Sequence, residues 1–505
     1  MSGAPDLFLR RIVIVGGGSA GWMTAAALSS LLDPKQVRIT LVESEAIGTI
    51  GVGEATIPDI LNFNRLLGIP EAEFMRAAQA TFKLGIEFVD WKKQGRSYFH
   101  PFGQHGVDMQ GIDFHQYWLF SHAHGNPARI QDYSLCAQAA SRNRFALPDP
   151  NPDSVMSHIR YAYHLDATRY AQFLRVYAGK RGVKRIGEKV DLVNLDGESG
   201  FIKSVRLENG TAVHGDMFFD CTGFRALLIE KALGVGFHDW SHWLPCDSAQ
   251  AVATEHSGPL LPYTVAAAKS AGWQWRIPTQ TRTGNGYIYA SDLMSDKDAT
   301  DNLLAGLDGP TITDPGQLRF RTGCRKTFWY KNCVAIGLSA GFLEPLESTS
   351  IFLIQEGISK FISLFPNADF PPVVTEEYNR QLGLKFEQVR DFIILHYKAT
   401  ERDDSAFWNY CRNMAIPDRL THKIELFREA GRVFRYEDEL FSTSSWVAVM
   451  LGQGITPKTC DPIVSTLPRR QVDSSLISMR RAVTRAAETL PTHAQFIQKY
   501  CPAAA

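Results

Sequence analysis

The chain has 505 residues, 45% hydrophobic and 21% charged, with Lys plus Arg equal to Asp plus Glu at 53 each. That is an ordinary globular composition with room for more than one domain, and zero net charge speaks against a nucleic-acid partner, which calls for a basic footprint. Eight cysteines without a CxxC pair give no zinc or disulfide pattern. No metal site and no membrane span are expected, and with no signal-peptide core ahead of the first strand the expected compartment is the cytoplasm.

The first element is Arg11-Ile-Val-Ile-Val15, an apolar run that reads as a buried parallel strand. Gly16-Gly-Gly-Ser-Ala-Gly21 follows as a tight turn, and Gly21 to Leu32 reads as a helix. Gly16, Gly18, Ser19, Ala20 and Gly21 therefore bring backbone N–H groups and a helix N-terminus to one place, where a pyrophosphate is favoured. A second strand over 37–42 ends on Glu43, about 20 residues on, where an acid binds a ribose hydroxyl. Strand, turn, helix, strand and acid in this order predict dinucleotide binding, with FAD and NAD both open. The loop Gly48–Pro58, which includes Glu54 and Ala55, is rich in Gly and ends on Pro. It is expected to pass close to a flat cofactor ring.

Residues 71–82 read as a helix. Alternation of Leu84, Ile86 and Phe88 with Gly85 and Glu87 then reads as a strand, which sets Lys83 at a helix-to-strand junction. By position alone such a lysine is a solvated surface charge. Residues 91–155 look irregular and aromatic. In Tyr98-Phe-His-Pro-Phe102, His100 and Phe102 share one side of an extended segment and could line a pocket for a planar ligand; a core histidine and phenylalanine is the plainer reading. Residues 146–152 read as a linker, and 161–178 as a helix. Residues 189–219 read as a β-meander with turns at Asp196-Gly197 and Asn209-Gly210, closing on Met217-Phe-Phe-Asp220. In Gly272-Trp-Gln-Trp-Arg-Ile-Pro278, Trp273 and Trp275 share a face of an extended segment beside Ile277 and Pro278, as a sheet-packing face or a rigid wall. Asn332–Gly337 reads as a strand entering a glycine turn at Gly337-Leu338. Glu344-Pro-Leu-Glu-Ser-Thr-Ser350 leads into a helix from about 351 to 365, whose N-terminus is an anion site in the making. Glu347 there is either an acid favoured by the helix dipole or a buried catalytic carboxylate. Residues 373–400, 416–430 and 474–490 read as helices.

Five of these pieces, in this order, resemble the flavin-dependent tryptophan halogenase family. They are Gly16–Gly21, Gly53-Glu-Ala-Thr-Ile-Pro58, Thr81-Phe-Lys83-Leu-Gly85, Gly272-Trp-x-Trp-x-Ile-Pro278 and Pro345-Leu-Glu-Ser-Thr349. The resemblance implies an α/β fold: an FAD-binding, Rossmann-like module of the glutathione-reductase type with a mostly helical substrate-binding part. The expected division assigns 1–60, 155–230 and 318–365 to the FAD module. It assigns 61–154, 231–317 and 366–505 to the substrate part. A separate NAD(P)H-dependent flavin reductase would supply FADH2, and O2 with chloride or bromide would give hypohalous acid that reaches a small aromatic substrate through a tunnel. Lys83 and Glu347 match the catalytic pair, and Ser348 and Thr349 match the halide segment. Ser350 stands where the family usually has glycine. His100, Phe102 and Trp446 match the rings flanking the substrate. A homodimer is left open.

One departure bears on the substrate. Family members acting on free tryptophan hold its amino-acid end with a Tyr-Tyr pair and a nearby acid, and this chain has no Tyr-Tyr pair. Indole or a larger indolic molecule is therefore expected ahead of free tryptophan. Tryptophan halogenation proper, an FAD-dependent aromatic monooxygenase, and a flavin-binding sensor without turnover remain as alternatives.

Overall fold

The computed structural model describes residues 8–44 and 53–503. The part of the predicted cofactor loop at 48–52 lies outside the described residues. Arg11–Val15 is the centre of a six-stranded sheet in the order 329–330, 333–335, 217–220, 11–15, 38–43, 184–187. Four pairings are parallel, and only the edge strand Trp329–Tyr330 is antiparallel. Ile12, Val13 and Ile14 are almost wholly buried, as expected of a strand covered on both faces. The helix Ser19–Leu31 runs back along the sheet and packs on helix Ala167–Gly179. The turn between strand and helix therefore lies at the carboxyl ends of the parallel strands, where open α/β sheets hold ligands.

A second sheet of seven strands stands beside the first, in the order 316–319, 248–254, 283–289, 272–278, 264–269, 85–89, 97–101. The two-tryptophan segment is one of its central strands. Trp275 faces Gly286 across the ladder, and a Cβ on Gly286 would lie 2.0 Å from the indole. Glycine is what lets that ring lie flat on the neighbouring strand. The predicted meander is present as Val190–Leu195, Ile202–Leu207 and Ala212–His214. The C-terminal third is helical, built on the long helix Pro372–Lys398.

Three local readings need correction. The helix expected over 71–82 ends at Ala77 because Gln79 turns to φ +49°, and Thr81–Lys83 is a strand. The helix expected over 161–178 divides into strand Ala162–Asp166 and helix Ala167–Gly179, with the Asp166 side chain capping at Arg169 N. The stretch 91–155 contains strand Ser97–Pro101 and helices Phe114–Ala123 and Leu135–Ala140. The short strand 162–166 has a particular job. It pairs with Gly53–Ala55 on one side and Thr81–Lys83 on the other, which sets the cofactor-loop residues next to Lys83.

Among the described residues all cysteines are free thiols. No helix of the described chain is long and apolar enough to cross a membrane.

Candidate active site

A cavity of about 560 Å³ opens at the carboxyl ends of the parallel strands. Gly16, Gly18, Ser19 and Ala20 form one end of its lining with Glu43; Glu54, Ala55, Gly337 and Leu338 line it further along. The size suits a bound organic molecule. Two glycines of the turn, Gly16 and Gly21, are required by close approach. Gly16 has φ +113°, and a Cβ there would meet the Cys221 carbonyl oxygen at 2.1 Å. Gly21 does not line the cavity; a Cβ there would lie 1.9 Å from the Gly16 carbonyl, so it lets helix and turn close-pack. Gly18 has open space beside it and is the N-cap of a helix without a side-chain cap. Helix N–H groups therefore face the cavity, a cradle that fits a pyrophosphate. Glu43 accepts a hydrogen bond from Trp22 Nε1 at 3.3 Å and pairs with Arg185 and Arg175. Burial pushes the Glu54 carboxyl up to about 7.

Trp273, Trp275 and Ile277 close the cavity from the second sheet, so segments of both sheets line it. Pro278 stands just outside the lining; its carbonyl accepts from Thr81 Oγ1 at 2.7 Å. The Trp275 indole nitrogen is buried without a partner.

Lys83 is not the solvated charge that its position suggests: it is fully buried. Its Nζ donates to Ser348 Oγ at 2.7 Å and to the Thr56 carbonyl at 3.1 Å, and stands 4.9 Å from the centre of the Phe102 ring. Burial pulls the ammonium down to about 7, against the opposing pull of the Glu347 charge. Ser348 has φ +59°, rare for a residue with a side chain. It lines the cavity and accepts Lys83's hydrogen bond, so a single residue joins the two places.

Glu347 is also buried, on the turn Pro345–Glu347. His100 Nδ1 lies 3.1 and 3.0 Å from its two oxygens, and His396 Nε2 lies 2.8 Å from Oε1 at a poorer angle. Burial alone would raise this carboxyl; the two imidazoles outweigh it and hold it down to about 2. His396 Nδ1 stands 2.9 Å from the Phe392 carbonyl, which can only accept. Nδ1 is therefore the donor in that bond.

Ser350 opens the helix Ser350–Ser363, whose N-cap Thr349 makes no side-chain cap; Thr349 Oγ1 is buried without a partner. An uncapped helix start with a free hydroxyl is a fit place for a small anion. Ser350 reaches the cofactor cavity, and Thr349 does not line it.

Trp446 stands one ring away from this group. Phe392 touches both sides, 5.7 Å from His100 and edge-on to Trp446 at 4.8 Å, and stacks on Phe441 at 3.7 Å. Lys423 Nζ sits 4.2 Å from the Trp446 ring. The residues that sequence reasoning missed are His396, Phe392, Phe441 and Lys423. The first two had a signal: Phe392 and His396 are four apart on one helix face, inside an otherwise apolar run.

A family model described as tryptophan halogenase matches residues 11–469. Tryptophan 6-halogenase SttH of Streptomyces toxytricini is 36% identical, covering 96% of this chain and 97% of that protein. Two solved structures are similar over nearly all of the chain. Xcc4156, a flavin-dependent halogenase from Xanthomonas campestris, has a TM-score of 0.96 at 49% identity, covering 99% of each chain. BrvH, a flavin-dependent halogenase from Brevundimonas sp. BAL3, has a TM-score of 0.95 at 46% identity, covering 98% of this chain and 100% of that one. With the glycine cradle, the tryptophan wall and the buried lysine and glutamate in place, the chain belongs to the tryptophan halogenase family and is a flavin-dependent halogenase.

Proposed function

We propose that this enzyme uses FADH2, O2 and chloride or bromide to halogenate an electron-rich arene of indole type, with hypohalous acid as the halogen carrier. The observation that supports this best is Ser348, which borders the cofactor cavity and is bonded to the buried Lys83. In this reading the segments 1–60, 155–230 and 318–365 hold FAD, and the strand Gly272–Pro278 walls it off from the substrate. Gly16, Gly18, Ser19 and Ala20 take the pyrophosphate and Glu43 the ribose. Glu54, Ala55, Gly337 and Leu338 border the ring, and Ser348, Thr349 and Ser350 the halide. When bound, reduced FAD with O2 supplies the two-electron oxidation of halide to hypohalous acid, and a separate NAD(P)H-dependent flavin reductase supplies the FADH2.

The chain's own residues then act on the acid. Lys83 hydrogen-bonds it and gives a proton to the departing hydroxide as the bond between halogen and oxygen breaks. The halogen bonds to the ring carbon, water leaves, and the displaced ring proton passes to a Glu347 oxygen. A carboxylate held near 2 is a weak base, yet it suffices because a ring carbon bearing both halogen and hydrogen is a strong acid. Phe102 and His100 flank the ring.

If Lys83 acts as an ammonium, its low value has a readable consequence. Product formation under saturating FADH2 is expected to fall as pH rises through about 7. A rate that rises through the same window would mean that the neutral amine carries the halogen instead.

The substrate reading rests on the segment 431–446. Of its three acids, Glu439 is buried against Lys423 at 2.8 Å and Asp438 pairs with Lys385 at 3.1 Å. Only the exposed Glu437 is left for a substrate ammonium, and no Tyr-Tyr pair stands beside it. Calorimetry is expected to show indole binding and weak or absent binding of free tryptophan. Tight binding of tryptophan would contradict this reading.

A further inference from the structure

The tryptophan strand carries a feature that a wall does not need. A barrier between cofactor and substrate works with any bulky side chains. Trp273 is instead held by a polar bond: its Nε1–H donates to Glu344 Oε2 at 2.9 Å. The same oxygen accepts from Tyr397 OH at 2.6 Å. Glu344 is fully buried, and its other oxygen has no hydrogen-bond partner among the described residues.

Glu344 stands at one end of the Pro345–Glu347 turn and is the N-cap of that turn. Glu347 and the left-handed Ser348 stand at the other end. A residue with a side chain persists in that conformation only where its surroundings over-determine it. Four anchors do so here. Trp273 and Tyr397 hold Glu344, His396 approaches Glu347 at 2.8 Å, and Lys83 bonds to Ser348. His396 and Tyr397 are consecutive residues of one helix. A single rigid element thus grips both acids of the turn.

The geometry points to Glu344 as a positioning residue: clamped between Trp273 and Tyr397, it fixes the turn that presents Glu347 and Ser348 to the halogen. This rests on the halogenase reading of the site and gives Trp273 a duty beyond bulk. Burial pushes the Glu344 carboxyl up to about 7, against the opposing pull of the Tyr397 and Trp273 bonds. An amide has the same shape and offers the same acceptor, so Glu344→Gln is the conservative replacement, whereas Glu344→Leu removes the acceptor.

The test compares wild type, Glu344→Gln, Glu344→Leu and the Trp273→Phe/Tyr397→Phe double variant, which removes both donors. Crystal structures read the Lys83–Ser348 contact. Assays with indole read kcat, KM, FAD affinity and halogenated product per FADH2 supplied. Glu344→Gln is expected to keep the 2.7 Å contact and the wild-type coupling. Glu344→Leu and the double variant are expected to lose the contact. Their kcat should fall about 100-fold, the scale of an ångström of misplacement, with KM unchanged and, for Glu344→Leu, at a position that does not line the cavity, FAD affinity unchanged as well. If Glu344→Leu does not fold, the double variant carries the same comparison. Retention of both contact and coupling in the double variant would overturn the proposal, as would Glu344→Gln failing as badly as Glu344→Leu. Should the wild type itself yield no halogenated product, the functional reading fails, and the crystal comparison still decides whether Glu344 fixes the turn.

Discussion

Replacing Lys83 by alanine is expected to lower halogenation by about a thousandfold or more, in the range set by losing a positioned proton donor, with FAD affinity unchanged. The lysine does not line the cofactor cavity, so its loss should spare flavin oxidation. Hypohalous acid should still form and escape, where a trapping reagent in solution would collect it. Loss of oxidant production along with product would move the defect to the flavin side and refute the assignment. The variant also separates function from stability. A tenfold change in proton affinity is worth about 1.4 kcal/mol, so burying this ammonium costs several kcal/mol at neutral pH. Because its folded value lies below the unfolded one, the cost is present in full below about 7 and fades as pH rises toward 10.5. Lys83→Met, which fills the space without the charge, is therefore expected to melt no lower than wild type at pH 6 and yet to be inactive. A strongly destabilised Lys83→Met would show that the amine's bonds to Thr56 and Ser348 hold the fold together.

Glu347→Gln is the second large effect, expected to cost about a hundredfold in rate, the scale of a lost general base. The amide keeps the volume but removes the charge to which His100 and His396 are directed. It cannot take the ring proton. That proton should then leave slowly, so perdeuterated indole is expected to react more slowly than indole with the variant and equally fast with wild type. Equal rates with the variant would assign Glu347 to holding the halogen carrier rather than to proton removal. The wild-type carboxyl is held down to about 2 and stays ionised through the working range, so its own titration does not shape the pH profile near neutrality.

The cofactor end of the site was legible in the sequence because its chemistry is local. Gly16, Gly18 and Gly21 act through backbone geometry within one turn, and an apolar strand before them fixes where that turn lies. The reacting end was not legible in the same way. Lys83 is buried by Ser348, 265 residues away, and by the Thr56 carbonyl, neither of which a local pattern can bring to it. The helix expected across 71–82 fails at Gln79, a non-glycine residue at positive φ that no composition signal marks. The strand 162–166, Ala-Tyr-His-Leu-Asp, is buried on both faces and so shows no alternation of apolar and polar residues to mark it as a strand. Phe392, from another helix, touches both Trp446 and His100, a contact about which a motif match carries no information. Within 431–446, only the fold reveals that Lys423 and Lys385 engage Glu439 and Asp438.

The most direct test of the account is mass spectrometry of products from the purified enzyme. The reaction holds FAD, a flavin reductase with NADH, air and indole, with chloride and bromide in parallel reactions. The account predicts an indole carrying the halogen isotope pattern, absent with Lys83→Ala. A hydroxylated indole without halogen would contradict it and make the chain a monooxygenase in a halogenase fold.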